Sequence, residues 1–197
     1  MTDDSLNITD NDLRDGEWYR WDRQTAEEHP EIAQAVADFE AHGKNELAAA
    51  AATAWLRNES IGEKACVTRL FVVNGHVVAF YALASGEATL TSGKKLNRMG
   101  ITAGTRLSTS HLEWVGRDRR APFGAGNHAV MHAIAVAKKV AELQGNRALT
   151  LDPFDAETQA MWLQKGFHKT QTELGDGLRR LYIPLFGLDY GSMKRDA

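Results

Sequence analysis

Apolar residues recur at helical spacing between Pro30 and Gly43 and again over residues 45–57. Proline suits the first turn of a helix, because its fixed φ is helical and its missing N–H has no partner there, and glycine often follows a helix end. The sequence therefore predicts two helices in this region, each with one apolar face. The residues of these faces are Ile32, Val36 and Phe39 in the first helix and Leu47, Ala51 and Trp55 in the second.

The pattern then changes to runs of β-branched and aromatic residues. Cys66–Val73 and His76–Leu83 are two such runs, and Asn74-Gly75 between them is the two-residue signal of a type I′ hairpin turn. Leu107–Val115 is predicted to be a further strand. Cys66 opens an apolar run, so we interpret it as a small core residue rather than as a nucleophile.

The last third of the chain predicts alternating helices and strands. Residues 126–144 form a long helix, followed by a strand over Ala148–Leu151, a helix over Asp155–Lys165 and a closing strand over Leu178–Leu185. The fold class is therefore α/β, with a mixed central β-sheet flanked by helices and two N-terminal helices before a β-hairpin. The apolar stripe of the long helix consists of Val130, Ile134, Ala137 and Ala141.

The composition indicates one globular domain. The chain has 197 residues, of which 43% are hydrophobic and 25% charged. No apolar run approaches the roughly 20 residues of a membrane-spanning helix. Residues 1–16 are polar and acidic and fit neither a signal peptide nor a transit peptide, so we expect a disordered tail before a single domain over residues 17–197. One cysteine cannot form an internal disulfide, which suits the reducing cytoplasm.

The net charge of −3 is unevenly distributed. Residues 1–60 carry a net charge of −9, whereas residues 94–150, the basic block, carry +7. The basic block is either a solvated face or a surface that attracts a polyanion such as a nucleotide or a nucleic acid. Its basic residues are Lys94, Lys95, Arg98, Arg106, Arg117, Arg119, Arg120, Lys138, Lys139 and Arg147.

Gly124-Ala125-Gly126 lies just before the long helix. Glycines there let backbone N–H groups approach phosphate oxygens, and the helix N-terminus adds a favourable partial charge. A plain turn before a helix is the alternative.

Three other motifs can be judged by their spacing. A dinucleotide-binding fingerprint matches formally, but residues 116–123 separate it from its strand and no second βαβ half follows. No Lys-Ser or Lys-Thr pair follows the glycines, which excludes a P-loop. His128 and His132 have metal-ligand spacing but lack the zincin glutamate, so we expect no metal site.

Residues 112–167 resemble the GNAT superfamily of N-acetyltransferases. Leu112-Glu113-Trp114-Val115 matches the strand that enters the site, and Ala121–Gly126 matches the pyrophosphate loop at the start of the long helix. Ala148–Asp152 matches the next strand, and Met161–Phe167 matches the end of the following helix, with its Gly-Phe pair. The spacing of the whole set is more specific than any one part.

More of the chain is similar to one branch of the superfamily, the toxins that acetylate aminoacyl-tRNA. The similar segments are Phe39–Leu47 with Ala54-Trp55-Leu56, the strand Val77–Leu83, and Leu151-Asp152-Pro153. The resemblance extends over about residues 30–185. It implies transfer of an acetyl group from acetyl-CoA to an amine by direct attack. The resemblance and the basic block favour aminoacyl-tRNA as the acceptor, whereas the net charge of −3 and the acidic N-terminal third argue against it. It also implies an antitoxin partner and allows a homodimer.

The resemblance also implies site residues. The Val115 N–H would stabilise the oxyanion, which is worth about 3–4 kcal/mol in comparable sites. Glu113 and His111 are candidate bases for the acceptor amine, acting directly or through water, since alternation along a strand puts both on the face of Val115. The pyrophosphate and cofactor contacts would come from Arg119 or Arg120, Gly124, Ala125, Gly126, Asn127, Asp155 and Trp162.

Four positions depart from the family pattern, and one of them is Pro122, which stands where glycine is common. Ala121 occupies the Arg/Gln position of the loop, so Arg119 or Arg120 is the expected cation. Asp155 stands where the family often has Asn. Trp162 replaces the tyrosine that protonates the departing thiolate, and an indole N–H has no useful acidity. A non-catalytic CoA-binding or interaction module on the same fold is therefore the alternative function, and a protein or a small amine is the alternative acceptor.

Overall fold

The computed structural model describes residues 6–90 and 104–186. Within these residues, seven strands form one sheet in the order β1-β2-β3-β4-β5-β7-β6. The strands are β1 (Glu17–Trp21), β2 (Cys66–Val73), β3 (His76–Thr89), β4 (Arg106–Arg117), β5 (Ala148–Leu151), β6 (His168–Gly175) and β7 (Leu178–Pro184). The helices are α1 (Arg23–Glu28), α2 (Pro30–Asp38), α3 (Glu46–Ala54), which a π-helical turn (Trp55–Glu59) continues, α4 (Ala125–Gln144) and α5 (Ala156–Gln164).

The sheet is mixed, as predicted. β4 and β5 are parallel, in a register that runs from Thr109↔Ala148 to Leu112↔Leu151. The pairs β1–β2, β5–β7 and β6–β7 are antiparallel. Because parallel neighbours need a crossover between them, the chain from β4 to β5 includes the long helix α4. The predicted α/β fold class is confirmed.

The turn between β2 and β3 has the geometry that its sequence predicts. Asn74 and Gly75 both have positive φ, 50° and 79°. A type I′ turn needs positive φ at both central residues, which asparagine tolerates and glycine adopts without strain. The hairpin is therefore specified locally.

Several elements differ from the expectations. The strands β1 and β6 and the short helix α1 are additional to the predicted set. Leu47, expected on the apolar face of α3, is 76% exposed, whereas Trp55 is buried as expected. Residues 6–16 contain turns, and Ile8 and Leu13 are buried; the tail over residues 1–16 stays a prediction.

The described chain divides into two compact units. The first contains the chain up to Leu83 together with Glu113–Ala133, and the second contains Ala84–Leu112 and the chain from Ile134 onward.

The core of the first unit is built around aromatic rings. Phe80 is fully buried, lies edge-on to Phe39 at 5.4 Å between ring centroids, and stacks with Trp55 at 6.0 Å. Trp114 stacks on Trp55 at 5.4 Å. Such pairs stabilise a core beyond the area they bury, because the edge of one ring is complementary to the face of another. The same cluster contains five aliphatic residues, Ile32, Val36, Leu56, Leu70 and Val72. Cys66 packs against this cluster.

A second aromatic group in this unit joins strand β1 to helix α4. Trp18 stacks on Phe71 at 4.8 Å and on the His132 ring at 4.0 Å. The Tyr81 hydroxyl is 2.9 Å from His132 Nδ1, and Phe71 stacks with His128. The two histidines with metal-ligand spacing therefore take part in ring stacking. Burial raises the pKa of the Tyr81 phenol far above its usual value.

The second unit contains the closing strands. Leu149, Leu181 and Ile183 are almost fully buried, and Trp162 lies edge-on to Phe167 at 5.1 Å. A smaller cluster contains Ala88, Leu90, Ala148 and Tyr182.

Helix α4 is the long helix that the apolar stripe predicts. It spans 20 residues, and Val130, Ile134, Ala137 and Ala141 are all buried. Among the described residues, no helix combines the length and the apolar character that a membrane crossing requires.

Gly116 tests the packing of the first unit. A Cβ there would lie 2.6 Å from Phe80 Cε1, which is too close for van der Waals contact. The Phe80 ring is fully buried and has little room to move. We expect Gly116→Ala to lower the free energy of unfolding by about 1–3 kcal/mol, because the ring must move. Urea titration measures the effect. Gly62→Ala is the matched control, since its Cβ would meet only Glu59 O at 3.7 Å, and we expect little change there. Equal stability of the two variants would contradict this account of the core.

Candidate functional site

Strand β4 is longer than the stretch over which it pairs with β5. The register between them ends at Leu112↔Leu151, whereas β4 continues to Arg117. Residues Glu113–Arg117 therefore extend beyond the end of the parallel pairing.

Backbone hydrogen bonds show that β4 is irregular. The Ser108 carbonyl accepts from the Arg147 N–H, toward β5, whereas the Asp118 N–H donates to the Val78 carbonyl, on β3. In a regular strand, residues an even number apart face the same neighbour, so a bulge must lie between Ser108 and Asp118. Alternation therefore cannot be carried through β4 from His111 to Val115. In agreement, His111 is buried and Glu113 is exposed.

A fully buried carboxylate, Asp118, holds the chain directly after β4. It accepts hydrogen bonds from the Glu40 N–H at 3.0 Å and the Arg120 N–H at 2.8 Å. The Arg120 guanidinium donates to both carboxylate oxygens, at 3.0 and 3.1 Å, and also to the Asp38 carbonyl at 2.9 Å. Asp118 thereby joins the end of α2 to the start of the glycine loop.

The two arginines expected to contact a pyrophosphate lie in ion pairs. Arg120 pairs with Asp118, and Arg119 Nε lies 2.8 Å from Glu40 Oε2 at the surface. Arg106 of the same basic block pairs with Glu87. Lys94, Lys95 and Arg98 lie outside the described residues.

Arg117 lies beside the first turn of α4. Its Cβ lies 3.6 Å from the place where a Cβ on Gly126 would be, and its guanidinium donates to the Ala121 carbonyl at 2.7 Å. Burial lowers the pKa of Arg117, although an arginine remains charged at neutral pH. The signal that would have identified it in the sequence is its position as the last residue of the strand entering the loop.

The loop itself has the backbone of a tight turn into a helix. Gly124 has a φ of +109°, which disfavours any residue with a Cβ. The Asn127 N–H donates to the Gly124 carbonyl at 2.8 Å. Ala125 is buried and Ala121 is nearly so, which puts both side chains against the protein and not against a ligand.

A second polar group lies in the other unit, where β4 and β5 run in parallel. His111 Nδ1 is 2.9 Å from Thr150 Oγ1, and His111 Nε2 is 4.0 Å from Asp152 Oδ2. Arg180 donates to both Asp152 oxygens at 2.7 Å, and also to the Glu87 carbonyl at 3.3 Å. His111 on β4, Asp152 directly after β5 and Arg180 on β7 therefore form a polar cluster.

The remaining expected site residues lie on or beside α5. Asp155 is the helix N-cap, and its carboxylate accepts from the Thr158 N–H at 2.7 Å. Trp162 is buried. The described residues contain no group of three or more His, Cys, Asp or Glu side chains that could hold a metal ion.

Comparison with known proteins gives the fold but no close relative. No family model matches the chain, and no curated protein matches it. Among solved structures, a tyrosine-to-phenylalanine mutant of KacT is similar at 15% identity, with a TM-score of 0.62 over 78% of this chain and 91% of that one.

Two structures of AtaT are similar as well. AtaT complexed with acetyl-methionyl-tRNAfMet has 16% identity and a TM-score of 0.61 over 76% of this chain and 86% of that one. An AtaT mutant toxin bound to the antitoxin AtaR and acetyl-CoA has 15% identity and a TM-score of 0.56 over 76% and 85%. At these identities the likeness establishes a shared fold.

Asp118 and Arg119 provide a test of the structure around the loop. Asp118→Ala removes a fully buried carboxylate and leaves the partly buried guanidinium of Arg120 and the Glu40 N–H without their acceptor, so we expect a loss of about 3 kcal/mol in unfolding free energy. Arg119→Ala breaks the exposed pair with Glu40, which should cost less than about 1 kcal/mol. Denaturant titrations of both variants make the comparison. A loss of under about 1 kcal/mol in Asp118→Ala would contradict the assignment of Asp118 as a buried anchor.

Proposed function

We propose that this chain is an N-acetyltransferase that transfers the acetyl group of acetyl-CoA to an amine by direct attack. The observation that carries the proposal is the end of β4, where the strand leaves β5 after Leu112 and leads through a glycine loop into the 20-residue helix α4. Backbone N–H groups at a helix N-terminus bind phosphate well. Acetyl-CoA is here a substrate, which supplies a thioester for the amine to attack.

The loop residues suit a pyrophosphate. Gly124, Ala125, Gly126 and Asn127 belong to the loop and first turn of α4, and Arg117 adds a positive charge beside Gly126. Arg119 and Arg120 contribute through their ion pairs more than through direct contact. Asp155 and Trp162 are proposed to lie on the cofactor side of α5.

Val115 is proposed to stabilise the negative charge that develops on the thioester oxygen. The Arg117 carbonyl accepts from the His42 N–H and the Arg119 N–H donates to the Glu40 carbonyl, so odd-numbered residues here face away from β3. Val115 lies two residues before Arg117 in β4, beyond the end of the pairing with β5. A preorganised N–H donor of this kind is worth about 3–4 kcal/mol.

Aminoacyl-tRNA is the proposed acceptor. AtaT, which shares the fold, has been crystallised with acetyl-methionyl-tRNAfMet, and another AtaT structure contains acetyl-CoA and the antitoxin AtaR. The basic block supports this acceptor, although three of its arginines lie in ion pairs. By the same likeness we propose a cytoplasmic single-domain toxin with an antitoxin partner, and a homodimer as its assembly.

The experiment that tests the function is an acetyl-CoA turnover assay across charged tRNA, a protein acceptor and small amines. Release of CoA is followed with a thiol dye. Burial raises the pKa of the Cys66 thiol, so its own reaction with the dye should be slow. The alternative, a non-catalytic CoA-binding module, is motivated by Trp162 and predicts binding with no turnover for any acceptor.

Gly126→Glu tests the pyrophosphate site. Its carboxylate would project beside Arg117, where phosphate must approach, so we expect acetyl-CoA to lose its stabilising effect on the melting temperature. Gly126→Ala is the matched control, because a Cβ there makes only ordinary contact, at 3.6 Å. Thermal melts with and without millimolar acetyl-CoA make the measurement. A Gly126→Glu variant that acetyl-CoA still stabilises fully would place the cofactor elsewhere.

Salt dependence tests the acceptor. If charged tRNA binds through the basic block, its affinity should fall steeply with salt, with a logarithmic slope of about −0.7 to −0.9 for each phosphate contact. Lys94→Glu with Lys95→Glu should weaken binding roughly tenfold for all tRNAs alike. Arg106→Gln is the control, since Arg106 already pairs with Glu87. Filter binding at several salt concentrations gives both results, and a flat salt dependence would contradict a basic tRNA-binding face.

A further inference from the structure

His111 is held in a setting that suits a protonated ring. Thr150 Oγ1 donates to the Ser110 carbonyl at 3.3 Å, and a carbonyl can only accept. The Thr150 oxygen can therefore accept from His111 Nδ1, 2.9 Å away. Thr150 Oγ1 is also 3.2 Å from Thr109 Oγ1, and either hydroxyl can donate. In the arrangement in which Thr150 donates to Ser110, the neutral ring carries its hydrogen on Nδ1, and Nε2 lies 4.0 Å from Asp152 Oδ2.

Arg180 fixes the carboxylate that faces the ring. Its two bonds to Asp152, both 2.7 Å, form the bidentate arrangement that defines the orientation of a carboxylate most strictly. Arg180 is itself held by the Glu87 carbonyl. A proton that arrives at Nε2 therefore meets a carboxylate already in position, while Thr150 accepts from Nδ1–H on the other side. Both nitrogens of an imidazolium would have acceptors.

The strands leave little freedom for other arrangements. His111 pairs in register with Thr150, and Gly86 lies beside it, where a Cβ would be 3.0 Å from His111 Cβ. The His111 side chain is 10% exposed and that of Asp152 is 35% exposed.

We propose that His111 is the base of the acetyl transfer and that Thr150, Asp152 and Arg180 are its positioning residues, an inference that rests on the proposed function. The N–H bond of the acceptor ammonium breaks and an Nε2–H bond forms, directly or through water. The neutral amine then forms the C–N bond as the C–S bond breaks. The second hydrogen lost by nitrogen goes to the thiolate sulfur, and His111 releases its proton to solvent. One ammonium and one thioester give one amide, one thiol and one proton.

Substitutions that keep shape but remove one interaction test the proposal. Asp152→Asn removes the charge, Thr150→Val removes the hydroxyl, and Thr150→Ser restores it. With acetyl-CoA and methionyl-tRNA as probes, the first two variants should lower kcat about 10- to 100-fold, while KM for acetyl-CoA changes less than about twofold. Thr150→Ser should keep a rate within about threefold of wild type. A purely structural role would instead shift KM and the melting temperature together.

A spectroscopic measurement examines the ring without turnover. Long-range ¹H–¹⁵N spectra of the His111 imidazole, assigned with His111→Gln, should show hydrogen on Nδ1 in the wild type and in Thr150→Ser but not in Thr150→Val. A ring with no hydrogen on Nδ1 in the wild type would overturn the proposal. So would unchanged kcat in folded Asp152→Asn and Thr150→Val. If the wild-type chain shows no turnover with any acceptor, the proposed function itself fails and this inference fails with it.

Discussion

A buried charge must be satisfied where it lies, and Asp118 is the point where this requirement shapes the first unit. Its carboxylate has no exposed surface and meets Arg120 and the Glu40 N–H. Leaving such a charge unpaired would cost several kcal/mol, so the segment after α2 and the segment after β4 are ordered together. The glycine loop begins shortly after Asp118. Because Asp118 is fixed by these hydrogen bonds, its neighbours Arg117 and Arg120 are held in place as well, and so is the start of the loop.

The same ion pairs change the meaning of the basic block. Counted along the sequence, residues 94–150 carry a net charge of +7. In space, Arg106, Arg119 and Arg120 each face a carboxylate, and two of those carboxylates, Glu87 and Glu40, come from outside the block. The field near these arginines is therefore weaker than the linear count implies. Any attraction for a polyanion must depend on the remaining cations, and on Arg117 at the loop in particular.

Local signals account for what the sequence predicted well. Asn74-Gly75 needs only its own φ preferences, and α4 needs only an apolar stripe, so both elements were predictable. The strands β1 and β6 were not predictable in this way. They lie at the two ends of the sheet, and buried and exposed residues do not alternate regularly along either strand. An outer strand forms because a neighbouring strand offers hydrogen bonds, and the sequence of the strand alone does not show this.

The candidate site shows the same division. The glycine loop was visible because glycine and a helix start are adjacent in sequence. The partners of His111 were not, since Thr150 and Asp152 lie about 40 residues away and meet it only through the register of β4 with β5. Arg117 was hidden among ten basic residues that the sequence cannot rank. The structure distinguishes them: Arg106, Arg119 and Arg120 form ion pairs within the fold, whereas Arg117 lies beside Gly126.

In the proposed acetyl transfer, Trp162 stands at the position of the tyrosine that protonates the departing thiolate in the family that the sequence resembles. An indole cannot donate a proton, so a mechanism that needs an acid at this position would fail. The nitrogen that has just formed a C–N bond carries a positive charge and a surplus hydrogen, and it is a far stronger acid than a thiol, whose pKa is about 8.5. Proton transfer from that nitrogen to sulfur is therefore downhill without a phenol. The harder step is the first deprotonation of the ammonium, which must happen before attack, and this is the step at which His111 is proposed to act. A chain with tryptophan at 162 would then depend more on its base than on its acid.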